Sequence, residues 1–164
     1  MRNFFLSFSL FIGLLSCSQD KLSDVLKKYN RENIPYITAQ ELAMPKTKAI
    51  ILDSRESNEF KVSHLRNAIH VGYDDFNLKG VKNTISNKDT LIVVYCSIGV
   101  RSEDIAEELK KEGYTNVYNL FGGIFEWKNN GFKIYDSSNN ITENIHAYSE
   151  EWSKWLLKGK KIYD

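Results

Sequence analysis

The sequence contains little cysteine and histidine and almost no excess of charge of either sign. Its 2 Cys and 3 His among 164 residues form neither a Cys-x-x-Cys pair nor a close cluster, so we expect no metal site and no disulfide framework. The 22 Lys and Arg nearly balance the 21 Asp and Glu. Because nucleic-acid-binding proteins usually carry a basic excess, we expect no nucleic-acid partner.

Long apolar runs are also scarce, and the most prominent one occupies residues 4–15. It is shorter than the roughly 20 residues that a membrane-spanning helix requires. Arg2 precedes it, and Ser16 and Cys17 follow it. This order of charged, apolar and small residues is typical of an export signal, so we predict a signal peptide over residues 1–16.

The tetrad Leu14-Leu15-Ser16-Cys17 resembles the lipobox of bacterial lipoproteins, in which the cysteine becomes the lipidated first residue. The resemblance implies lipidation of Cys17 and attachment to a membrane through the lipid, since several acyl chains anchor a protein stably. It places the protein in the bacterial cell envelope, facing the periplasm. The alternative is a plain secretory signal in which Cys17 has no such role.

The apolar pattern divides the remaining chain into a tether, one domain and an extension. Residues 17–32 are predicted to form the lipidated N-terminus and a tether or short helix. Residues 33–135 alternate short apolar strands with helices, which favours an α/β fold with an open parallel sheet flanked by helices. The predicted strands are 35–37, 49–52, 68–71, 91–95 and 116–120.

The extension, residues 136–164, carries apolar residues at helical spacing. They are Ile145, Tyr148, Trp152, Trp155 and Leu156. This spacing predicts a C-terminal helical extension that packs its apolar stripe on the domain. A helix lying on a membrane surface or a partner-binding face is the alternative.

Cys96 lies where a buried strand ends and a helix is predicted to begin, with Ser102 as its N-cap. Unpaired N–H groups and the positive end of the helix dipole favour a thiolate at such a place. Gly99 allows the loop to curl so that its N–H groups face one centre, and Arg101 adds a fixed cation. Because ligands bind beyond the carboxyl ends of parallel strands, we expect Asp53-Ser54-Arg55 to lie nearby.

Three separated stretches of the sequence resemble the rhodanese family. Residues 52–68 resemble the family's DxRExxEF…GHIPGA pattern, although Ser63, Arg66 and Asn67 depart from its second half. Residues 93–102 resemble its active-site loop. Residues 113–127 resemble a third family segment, so that the resemblance spans residues 34–135 in the family's order.

The resemblance implies a rhodanese-like fold and a sulfurtransferase that moves sulfane sulfur from a donor such as thiosulfate to a thiol or cyanide through a persulfide on Cys96. It implies no cofactor. Arg101 would bind the donor's anionic end, while Asp53 and Arg55 would support the loop, with Glu56 or Glu59 as the ion-pair partner of Arg55. The substrate-binding residues would be Ser97, Ile98, Gly99, Val100, Arg101 and Ser102.

The sequence leaves two alternatives to sulfur transfer, a phosphatase and a binding module. Cysteine phosphatases resembling this fold have a longer loop than the four residues between Cys96 and Arg101, so the shorter loop favours sulfur over phosphate chemistry. A rhodanese-like binding or redox-sensing module with little turnover remains open, because a fold does not by itself establish activity.

Overall fold

The computed structural model describes residues 21–164. The predicted signal peptide and Cys17 lie outside the described residues. Between residues 21 and 164, no helix has both the length and the apolar character needed to cross a membrane.

A five-stranded parallel sheet forms the centre of the molecule, and its strands lie in the order β1-β5-β4-β2-β3. The α/β fold with an open parallel sheet, predicted from sequence, is thereby confirmed. The strands are β1 (Tyr36–Ile37), β2 (Ile50–Asp53), β3 (Ile69–His70), β4 (Ile92–Tyr95) and β5 (Val117–Leu120).

Six helices accompany these strands along the chain. They are α1 (Leu22–Tyr29), α2 (Ala39–Ala43), α3 (Ser57–Val62), α4 (Leu78–Thr84), α5 (Arg101–Lys111) and α6 (Gly123–Asn129). The first of them coincides with the short helix predicted for the tether, and its Leu26 is buried. Part of the predicted tether therefore packs on the domain.

The core has two halves, one on each face of the sheet, and β4 contributes to both. Side chains alternate across a strand, so Val94 packs with Ile105 and Leu109 of α5 on one face. On the other face, Val93 packs with Ile124 and other residues of a second cluster. All four residues of β4 are fully buried, which explains why this strand has no charged residue. The loop that begins at Cys96 thus follows directly after a fully buried strand.

The C-terminal extension is not the predicted helix. It contains one helical turn, α7 (Glu150–Ser153), and three short strands, β7 (Ile141–Thr142), β8 (Asn144–His146) and β9 (Lys160–Ile162), of which β7 pairs with β6 (Ile134–Tyr135) at the end of the domain. The physical reason is pairing between distant segments, because β8 and β9 run parallel and bond to each other on either side of α7. Ile145 and Leu156 are nevertheless buried, so the stripe does pack on the domain.

Candidate active site

Cys96 follows β4 directly and is only 1% exposed. Its Sγ accepts a hydrogen bond from the Gly99 N–H at 3.2 Å, and the Ser102 hydroxyl lies 3.6 Å from the same sulfur. The loop therefore surrounds the sulfur with donors that stabilise negative charge.

The loop backbone is fixed at Gly99, which has a φ of +107°. A Cβ at this position would lie 3.3 Å from the Leu120 carbonyl oxygen, so both conformation and space favour glycine. Two side-chain amides, those of Asn30 and Asn119, each donate to the Gly99 carbonyl oxygen at 2.8 Å. Asn30 follows α1, and sequence reasoning did not identify either asparagine as part of the site.

The thiol of Cys96 is favoured in its ionised form. Burial alone would raise its pKa, but the positive charge of Arg101 and hydrogen bonds from Ser102 and the Gly99 N–H hold the pKa below its ordinary value. Cys96 is the free cysteine within residues 21–164. The site can therefore present a nucleophilic thiolate.

Ser102 lies within the first turn of α5 and is not its N-cap. The helix begins at Arg101 with Val100 as N-cap, so the capping prediction was wrong by two positions. The Ser102 hydroxyl instead donates to Asn119 Oδ1 at 2.8 Å. The same hydroxyl lies 3.6 Å from Cys96 Sγ, so its single proton has two acceptors and Asn119 is the nearer one.

Arg101 forms a two-point ion pair with Glu59 of α3. Its Nη1 and Nη2 donate to the two carboxylate oxygens at 2.7 and 2.8 Å, and Nη2 also lies 3.1 Å from Ser97 Oγ. The Ser97 hydroxyl donates to Glu59 Oε1 at 3.1 Å. The guanidinium predicted to hold the donor's anionic end is thus already neutralised by a carboxylate that is almost fully buried.

Asp53 and Arg55 form a second, fully buried ion pair, with Nη2 of Arg55 2.6 Å from Asp53 Oδ2. The prediction that Arg55 pairs with Glu56 or Glu59 was wrong, because Asp53 lies two residues away on the same turn and meets it directly. Asp53 also accepts a hydrogen bond from the Tyr95 hydroxyl. Since Tyr95 immediately precedes Cys96, the pair supports the end of β4 from which the loop begins.

The Cys96 loop lines a cavity of about 130 Å³. Two aromatic residues of the C-terminal segment, Tyr148 and Trp152, complete its lining. Sequence reasoning placed both in a packing stripe and missed their position beside Cys96. The remaining lining residues are Ser97, Ile98, Val100 and Arg101.

Comparison with known protein families decides what kind of domain this is. The Rhodanese-like domain matches residues 38–130. The chain belongs to the rhodanese-like family. Asn30, Tyr148 and Trp152 lie outside the matched residues, so segments that flank the matched domain also contribute to the surroundings of the Cys96 loop.

Two curated relatives illustrate the range of named activities. The chain is 40% identical over 137 residues to a tRNA uridine(34) hydroxylase of Onion yellows phytoplasma (strain OY-M), covering 79% of this chain and 44% of that protein. It is 30% identical over 97 residues to the thiosulfate sulfurtransferase GlpE of Coxiella burnetii (strain RSA 493 / Nine Mile phase I), covering 59% of this chain and 87% of that protein. The chain thus spans less than half the length of the hydroxylase relative.

Solved structures share the rhodanese-like fold. A rhodanese-related protein from Thermoplasma volcanium is 26% identical with a TM-score of 0.53, covering 61% of this chain and 96% of that one. A thiosulfate sulfurtransferase from Pseudomonas aeruginosa has a TM-score of 0.59 at 21% identity, covering 82% of this chain and 25% of that one. At 21% identity, the similarity to the Pseudomonas aeruginosa protein shows a shared fold.

Proposed function

We propose that this rhodanese-like protein is a sulfurtransferase that carries sulfane sulfur on Cys96. The proposal rests on the surroundings of Cys96 Sγ. This sulfur accepts a hydrogen bond from the Gly99 N–H at 3.2 Å and lies 3.6 Å from the Ser102 hydroxyl. Because these contacts hold the pKa of Cys96 below its ordinary value, the thiol forms the nucleophilic thiolate more readily than a free cysteine does. The same donors would stabilise the terminal sulfur of a persulfide, which is also anionic.

Sulfur transfer proceeds in two displacements. The Cys96 thiolate attacks the outer sulfur of thiosulfate, an S–S bond forms on Cys96, and the bond to the sulfonate sulfur breaks with its electron pair to release sulfite. Cyanide or a thiolate then attacks the terminal sulfur of the persulfide. The S–S bond to Cys96 breaks, which returns the thiolate and releases thiocyanate or a new persulfide. No external oxidant is consumed.

The persulfide is directly measurable by mass. Treatment of the full chain with thiosulfate should add about 32 Da, the mass of one sulfur atom in a persulfide. Cys96→Ser should abolish this increment, whereas Cys17→Ala, the matched control at the other cysteine, should retain it. An adduct that persists in Cys96→Ser would contradict the assignment.

A rhodanese-like binding or redox-sensing module with little turnover is the second candidate. The 40% identity to a protein named tRNA uridine(34) hydroxylase keeps it open, because that name describes an oxidation and similarity to that relative does not by itself imply sulfur transfer. Failure of both thiosulfate and an organic persulfide to modify Cys96, with no thiocyanate formed from cyanide, would favour this second function.

We further propose that the protein is exported and anchored in the bacterial cell envelope through a lipid on Cys17, facing the periplasm. The lipobox-like tetrad at residues 14–17, at the C-terminal end of the apolar run, supports this proposal. Cys17→Ala should move the protein from the membrane fraction to the soluble fraction of a bacterial host. Retention of the Cys17→Ala protein in the membrane fraction would contradict lipid anchoring.

A further inference from the structure

Two aromatic side chains, Tyr148 and Trp152, border the Cys96 cavity, and we refer to them as the aromatic rim. Both come from the C-terminal segment, beyond residues 38–130 that match the family. They therefore lie outside the matched domain, and neither has a part in the displacement chemistry described above.

Tyr148 is held over the site by a strained backbone. Its φ is +65°, a conformation that is uncommon for a bulky residue. The Tyr148 N–H donates to His146 Nδ1 at 3.1 Å, and the Arg101 guanidinium lies 4.8 Å from the Tyr148 ring centroid. The left-handed turn thus directs the ring toward the active site, and 50% of the residue remains exposed.

The rim is tied to elements that already form the site. His146 Nε2 lies 3.2 Å from Asp164 Oδ1, and that oxygen accepts the side-chain amide of Asn58 in α3 at 2.6 Å. Trp152 contacts the edge of the Tyr29 ring, with centroids 5.7 Å apart. The rim therefore packs against α1 and is linked to α3 through Asp164.

The size and charge of the cavity select between kinds of sulfur substrate. Its volume of about 130 Å³ is close to the ~150 Å³ of an engineered apolar cavity that binds benzene. Its cation, Arg101, is neutralised by Glu59 through two hydrogen bonds. A dianion such as thiosulfate meets no uncompensated charge from Arg101, whereas a planar apolar group can pack against the rim.

We propose that the aromatic rim makes this protein specific for sulfur substrates that carry an aromatic group next to the reacting sulfur, such as aromatic thiosulfonates or persulfides of aromatic thiols. The proposal rests on the sulfurtransferase function of Cys96. With benzenethiosulfonate, the Cys96 thiolate attacks the outer sulfur, the S–S bond forms on Cys96, and the bond to the sulfonyl sulfur breaks to release benzenesulfinate. Charge and electron count balance without a further reactant.

The test compares benzenethiosulfonate with methanethiosulfonate, which has the same charge and leaving chemistry but no ring. The ratio of their kcat/KM values isolates the aromatic contribution. We expect Tyr148→Ala to lower this ratio by about three- to tenfold, the range that aromatic contacts supply. Tyr148→Phe should keep it, because the ring remains. Tyr163→Ala, which removes an exposed tyrosine of the same segment, should leave it at the wild-type value.

The outcomes separate this proposal from the sulfurtransferase function. If both donors form the Cys96 persulfide but Tyr148→Ala and Trp152→Ala keep the wild-type ratio, the rim has no role in specificity and the proposal is overturned. If neither donor modifies Cys96 in the wild-type protein, the sulfurtransferase function itself fails. A circular dichroism spectrum identical to wild type shows that each variant retains the fold.

Discussion

Asp53→Asn should lower the free energy of unfolding by about 3–5 kcal/mol, the cost of leaving one member of a buried ion pair without its partner. Asp53 and Arg55 are both fully buried, with 2.6 Å between the paired atoms. Burial alone would lower the pKa of Arg55, but the charge of Asp53 and the bonds between them hold that pKa above its ordinary value. An arginine guanidinium stays protonated in proteins, so Asn at position 53 would leave a buried positive charge without its carboxylate partner.

Urea unfolding followed by tryptophan fluorescence measures this loss. The double variant Asp53→Asn/Arg55→Met should be more stable than Asp53→Asn alone, because it removes both buried charges. Glu108→Gln is the matched control, since it breaks the exposed pair with Lys111 and should leave the urea midpoint unchanged. An Asp53→Asn midpoint equal to that of wild type would show that the pair does not stabilise the fold.

The parallel sheet was predictable because its signals are local. β4 is a continuous run of β-branched and apolar residues, and a strand that is buried on both faces needs little else to be recognised. The C-terminal segment misled sequence reasoning for the opposite reason. Ile145 is buried in β8 because β8 pairs with β9, and helical spacing cannot report a pairing between segments that α7 separates.

The candidate site likewise contains residues that the sequence predicts and residues that it does not. Cys96, Gly99 and Arg101 stand close together in the sequence, so their loop chemistry was visible. The ion-pair partner of Arg101 was not visible in the sequence, because Glu59 lies 42 residues away on another helix. The sequence does place Glu59 in the family-like pattern of residues 52–68, and this was the available signal. Tyr148 carried none, since its position depends on a left-handed turn in a non-glycine residue.

The contact between Arg101 and Glu59 also decides what Arg101 contributes. A guanidinium held by a carboxylate binds a second anion less strongly, but its positive charge still acts on the neighbouring thiol, where it lowers the pKa of Cys96. We therefore assign to Arg101 the ionisation of Cys96, in addition to the donor binding predicted from the sequence. These two roles give different results when the charge is removed.

Arg101→Met should shift the pH dependence of Cys96 alkylation to higher pH. The thiolate is the reacting form, and its fraction falls about tenfold for each pH unit below the pKa. Because the Cys96 pKa lies below its ordinary value partly through Arg101, removing the cation raises this pKa. We therefore expect the midpoint of the alkylation profile to move to higher pH and the iodoacetamide reaction at pH 7 to slow.

Two variants test whether the charge is the cause. Arg101→Lys keeps a cation but loses the two-point contact with Glu59, so its alkylation profile should lie nearer to wild type than that of Arg101→Met. Arg66→Met removes another arginine that stacks on a tyrosine, with Arg66 Cζ 5.2 Å from the Tyr135 ring centroid, and should leave the profile in place. If Arg101→Met and wild-type Cys96 react with the same pH midpoint, the loop N–H groups and the Ser102 hydroxyl must account for the ionisation without Arg101.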